Sequence, residues 1–148
     1  MESNHQKNIA TFIHLSTFSR FIIPFGNFLG PIILWVTNKD KSAFIDAHGK
    51  QAINFQISIL LYSIVIGLLT VPFFIFNIFK QIDFISINAF ENISINLDKP
   101  SPLLYLGGAF AGFAIIAFLL ELVFIIKASL TAREGEMFNY PLTIPFLK

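Results

Sequence analysis

Between Gln51 and Lys80 the chain runs through 28 residues, AINFQISILLYSIVIGLLTVPFFIFNIF, without one charged side chain. No other feature restricts the fold as much. In hydrocarbon a segment must satisfy its own backbone polar groups, so a run of this kind is a membrane helix. It is longer than the roughly 20 residues that cross a bilayer. It should therefore tilt, or leave one end among the headgroups, with a kink at Pro72. Residues 103–130 form an equally long run, interrupted by Glu121 and Lys127 and followed by Gly135 as a helix stop. Residues 21–37, FIIPFGNFLGPIILWVT, form a shorter one, about 25 Å as a helix. There Pro24 and Pro31 each remove a backbone donor, and Trp35 lies near one end, where an interface suits its ring.

The expected fold class is an all-α membrane protein. A single integral domain, residues 1–148, carries spans at about 21–37, 52–79 and 103–130. Composition agrees: charged residues are 13% of the chain, against roughly 25% in a soluble domain. A net charge of +1 gives no reason to expect nucleic acid as a partner. With no cysteine, disulfides, thiolate chemistry and iron–sulfur clusters are excluded. No cleavable signal peptide is expected, so the first span would itself direct insertion.

Residues 9–20 mix apolar and hydroxyl side chains with His14 and show no clean helical stripe. They read as an interfacial or frayed helix. From Ile85 to Asp98 apolar and polar residues alternate, except at Phe90 and Glu91. A period of two argues extended structure, here a β-hairpin at 84–98 within an insert at 81–102. Asn92-Ile-Ser94 matches a glycosylation sequon, relevant only in a eukaryotic secretory protein.

Lysine and arginine set orientation. Loop 38–51 and tail 131–148 are richer in them than the 81–102 insert. Loop and tail are therefore expected in the cytoplasm and the insert outside. Three spans put the N-terminus outside; a re-entrant first segment would put it inside. The second arrangement leaves Arg20 at membrane depth, at a cost of at least roughly 2.5–3.5 kcal/mol, so three spans are favoured. Gly26-xxx-Gly30 and Gly108-xxx-Gly112 would then lie at one depth on parallel helices, where small residues allow close packing. Contact between subunits is the other use of either motif.

Glu121 is the residue most out of place, an ionisable group inside the apolar run. His48, Lys50, Asn54 and Gln56 fall near the same membrane face, and the five are expected to form a polar cluster. One role is to satisfy each other and pin the helices. The other is an ion or proton relay through a desolvated carboxyl. Metal ligands, cofactor sites and catalytic residues are not expected. His5, His14 and His48 are scattered, Asp46-x-His48 is the only close pair, and no nucleophile–base order is visible.

Three stretches taken together, FIIPFGNFLGPIILW, DAHGKQAINFQISILLYSI and AREGEMFNYPLTIPF, resemble a bacterial membrane family known as domain of unknown function 4870. That family is described as similar to the Tic-twenty component of chloroplast import. The resemblance covers residues 9–80 and 103–146. Its specific parts are His48-Gly49-Lys50 through Asn54-Phe55-Gln56, and Tyr140-Pro141-Leu142. It implies a multi-pass protein of the bacterial inner membrane and supplies no activity; the 81–102 insert is longer than the family connection. The expected function is a non-enzymatic structural or interaction subunit, partnered by the bilayer and by further copies or other membrane proteins. The alternative is a small transporter or channel subunit using Glu121.

Overall fold

The computed structural model describes residues 2–82 and 102–148. The helices are α1 (Asn4–Leu15), α2 (Gly26–Val36), α3 (Ala43–Ile82) and α4 (Pro102–Glu134), with 3-10 turns at Ser16–Phe21 and Lys39–Lys41. The described residues contain no strand. The hairpin expected at 84–98 lies outside them.

Local chemistry sets the boundaries. Ser3 opens α1 with a capping box: its hydroxyl accepts from the Gln6 amide at 3.3 Å, and the Gln6 side chain accepts from the Ser3 amide at 2.8 Å. At the other end, the hydroxyls of Ser16, Thr17 and Ser19 donate to the carbonyls of Ile13, His14 and Ser16, at 2.7, 2.7 and 2.6 Å. Hydroxyls that bond back three residues compete with the α-helical ladder, and the chain tightens to a 3-10 turn there. The reversal into α2 uses Phe25 at φ 60. Ser42 caps α3, accepting from the Phe44 amide at 3.1 Å. α4 ends in a Schellman motif: Gly135 sits at φ 91, its amide reaches the Ala132 carbonyl and the Glu136 amide the Thr131 carbonyl, both at 3.1 Å. Gly135 is thus the stop that the sequence indicated.

The expectation of three membrane-crossing helices is not met. Among the described residues two helical segments, Ala43–Phe76 and Tyr105–Glu134, are long and apolar enough to cross. The first apolar run yields only α2, 11 residues and about 16 Å, roughly half a hydrocarbon core. Phe21 closes the 3-10 turn, and residues 22–25, ending in the left-handed Phe25, are spent on the reversal into α2.

Two compact units make up the chain, residues 1–61 with 119–148, and residues 62–118. In the first, α1 buries Ala10, Ile13 and His14, and the 3-10 turn after it buries Thr17. The early turns of α3 bury Phe44, Ile45, His48, Ala52, Phe55 and Gln56, a 3.6-residue repeat. Phe55, Ile125, Ala128 and Tyr140 form one core cluster, and Ile13, Ile45 and Ala52 another. The Tyr140 ring stacks on Phe55 at 4.1 Å between centroids. In the second unit Phe74 meets Phe110 edge-on at 5.9 Å. Among the described residues of this unit many large side chains face outward, Leu68 at 70% and Leu69 at 73% exposure among them.

The glycines separate into two kinds. A Cβ on Gly26 would overlap the Ser19 carbonyl, and one on Gly30 would meet the Ser16 carbonyl. These two residues seat α2 against the turn that precedes it. A Cβ on Gly108 or Gly112 would meet nothing within 4 Å among the described residues. Gly26→Ala should therefore cost about 1–3 kcal/mol, because main chain must move. Gly108→Ala should not destabilise, and alanine's better helix propensity should add up to about 1 kcal/mol. Thermal unfolding in mild detergent compares them directly; equal losses would contradict this packing.

Candidate functional site

Six of the polar side chains in the first unit, Arg20, Gln56 and Glu121 and then His14, His48 and Tyr140, make up most of two networks. The first surrounds Glu121, on α4. Arg20, at the end of the 3-10 turn, reaches both carboxylate oxygens: Nη1 donates to Oε2 at 3.1 Å, and Nη2 pairs with Oε1. A forked guanidinium–carboxylate pair gives direction as well as charge neutralisation. Gln56 of α3 completes it. Its carbonyl oxygen accepts from Arg20 at 3.3 Å and from Asn27 at 2.8 Å, and its amide nitrogen donates to Glu121 at 3.3 Å. The side chains are 22% exposed for Arg20 and 7% for Glu121. Three segments distant in sequence thus meet at one carboxylate.

The second network is His48–His14–Tyr140. His14 Nε2 lies 2.8 Å from His48 Nδ1, and the Tyr140 hydroxyl lies 2.8 Å from His14 Nδ1. Two neutral imidazoles and a phenol allow one coherent order of protons along this chain, in either sense. Burial, and then the neighbouring His48, lowers the His14 pKa from 6.5 to about 3. Burial, and then the negative charge of Glu121, raises that of Tyr140.

The tail is held by the same elements. Asn54 clamps Leu147, donating to its carbonyl at 3.0 Å and accepting from its amide at 2.8 Å. The Ser58 hydroxyl accepts from the Ile144 amide at 2.9 Å, and Gln51 donates to Asn139 at 3.0 Å. Lys7 donates to the Glu134 carbonyl at 3.0 Å, joining α1 to the end of α4.

Of the five residues expected to cluster, Gln56 and Glu121 are in direct contact. The others have separate partners: His48 with His14, Asn54 with Leu147, and Lys50 with Asp46 at 2.6 Å. The residues missed from sequence are Arg20, Asn27, His14 and Tyr140. Arg20 carried a signal. It was the charge that made a re-entrant first segment look too costly, and Glu121 was the misplaced charge on the other side. Each is the other's partner.

The sequence of residues 5–147 matches a known protein family. The chain belongs to the MamF/MmsF family, the magnetosome magnetite crystal formation proteins. No curated protein and no solved structure matches it. The match corrects the resemblance drawn from FIIPFGNFLGPIILW and the His48 and Tyr140 stretches: the family is MamF/MmsF, not domain of unknown function 4870 or a Tic-twenty relative. The MamF/MmsF family is named for a role in crystal formation, not for a reaction.

The histidine pair gives a pH dependence whose sign is fixed. His14 stays neutral in the folded chain down to about pH 3, whereas in the unfolded chain it protonates near pH 6.5. Between those values the unfolded state binds the extra proton, so stability falls as pH falls from about 6.5 towards 3. The unfolding midpoint should be lower at pH 5 than at pH 7.5, and His14→Gln should shrink that difference. An unchanged difference in the variant would remove His14 as its source.

Proposed function

We propose that the chain is a non-enzymatic structural subunit of a magnetosome membrane, acting in magnetite crystal formation through the surface it presents. The observation that carries this is the state of Glu121. Both its oxygens are held by Arg20, and Gln56 closes one of them again. A carboxylate so engaged ties segments together, while a relay needs one free to exchange protons. The two apolar helices supply the membrane anchor. Eight of the ten basic residues fall in the first unit, which favours the cytoplasmic face for it. Gly108 and Gly112, open in the single chain, are where a second copy would approach.

The test is complementation in a magnetosome-forming bacterium that lacks the gene. The wild-type chain should restore crystal size and number, seen by electron microscopy. The paired change Arg20→Met with Glu121→Leu keeps the bulk and removes both charges. It should restore crystals to the same extent when it accumulates to wild-type level. Full accumulation without crystal recovery would mean that the charges themselves act, and the structural reading would fall.

A further inference from the structure

Outside both networks, the first unit holds an open groove of about 480 Å³ beside the start of α3. Its walls include Trp35, Lys39, Asp40, Asp46, Lys50 and Lys148. The charges are not equivalent. Asp46 is already matched, accepting from Trp35 Nε1 at 2.9 Å and pairing with Lys50 at 2.6 Å. That leaves Lys39, which also faces Asp46, and Lys148 against Asp40, an excess of one positive side chain. The Lys39 ammonium stands 5.6 Å from the centre of the Trp35 ring, so the aromatic floor holds one cation over the groove. Among the described residues neither Lys39 nor Lys148 has a carboxylate at ion-pair distance.

Apolar surface adjoins this cationic site. Ile32, Ile33 and Val36 on α2 are exposed, and Ile32 is one helical turn from Trp35. Ala43, which also lines the groove, begins the helical segment Ala43–Phe76 that is apolar enough to cross a membrane. Tryptophan and lysine beside such a start are the residues of a headgroup region.

We propose that this groove binds the phosphate of an anionic phospholipid headgroup, with the acyl chains lying along Ile32, Ile33 and Val36. Lys39 and Lys148 hold the phosphate, Trp35 supports the glycerol region, and the Asp46–Lys50 pair fixes the indole. The proposal rests on the membrane reading above, and names which lipid the anchor prefers.

Trp35 is the only tryptophan, so its fluorescence reports on the groove alone. The full chain is reconstituted in phosphatidylcholine bicelles and titrated with phosphatidylglycerol, with more phosphatidylcholine, or with inorganic phosphate. The expected result is a saturable change with phosphatidylglycerol only. Lys148→Ala, at the end of the tail, should weaken the apparent affinity about fivefold, as should Lys39→Ala. Arg133→Ala, an exposed charge not in the groove wall, should leave it unchanged. A response that does not saturate, or that Arg133→Ala weakens equally, would overturn the site in favour of diffuse surface attraction. A response to inorganic phosphate alone would overturn the lipid assignment. A chain that enters bicelles yet ignores phosphatidylglycerol contradicts the groove; one that enters no bicelle contradicts the membrane reading instead.

Discussion

Glu121→Ala should destabilise the first unit by about 3 kcal/mol, and Arg20→Met with Glu121→Leu together by much less. Removing one member of a buried ion pair leaves the other charged and desolvated, at roughly 3–5 kcal/mol. The lower end applies because Arg20 is 22% exposed and can turn partly to water. Replacing both members with apolar side chains of similar volume removes the desolvation cost and the attraction together, and such exchanges are often neutral. Gln56 and Asn27 would still bond to each other in the paired variant. Thermal unfolding in mild detergent, followed by Trp35 fluorescence, measures both. If the paired variant is as damaged as Glu121→Ala, the ion pair is not what holds these segments, and the account of the first unit fails.

Tyr140→Ala should be as damaging, at about 3–5 kcal/mol. The ring stacks on Phe55 at 4.1 Å and meets Phe138 edge-on at 5.1 Å. Its hydroxyl is the outer partner of His14. Tyr140→Phe separates these parts. It keeps the stacking and removes the hydroxyl, which should cost about 1–2 kcal/mol because His14 Nδ1 is left buried without its partner. The tail should detach in the alanine variant only, read as rapid proteolysis beyond Met137. A tail equally protected in both variants would show that Asn54 and Ser58 suffice to hold it.

The sequence disclosed the apolar segments of α3 and α4 because a run without charge is visible whatever lies beside it. It disclosed the end of α4 because only glycine fits φ 91 without strain. It misled over residues 9–37. Hydrophobicity showed no clean stripe over residues 9–20, since His14 and Thr17 are buried there beside Ala10 and Ile13. Such a face is legible only when its partners are known, and those are His48 and Tyr140, far along the chain. The apolar run at 21–37 suggested a span, while Ser16 and Ser19, just before it, had already tightened the chain into a 3-10 turn. Arg20 and Glu121 were each recognised as costly. Their pairing crosses about a hundred residues, a separation that no local pattern reports.

The central claim is that the amino-terminal segment does not cross the membrane but folds back onto the ends of α3 and α4. Lys7 on the Glu134 carbonyl and Arg20 on Glu121 express it directly. The chain has no cysteine, so single reporters can be placed without background. His5→Cys and Glu136→Cys, both exposed positions, are labelled with a membrane-impermeant maleimide in intact and in inverted vesicles. The account predicts that both positions label from the same side. Labelling from opposite sides, as three spans require, would contradict it.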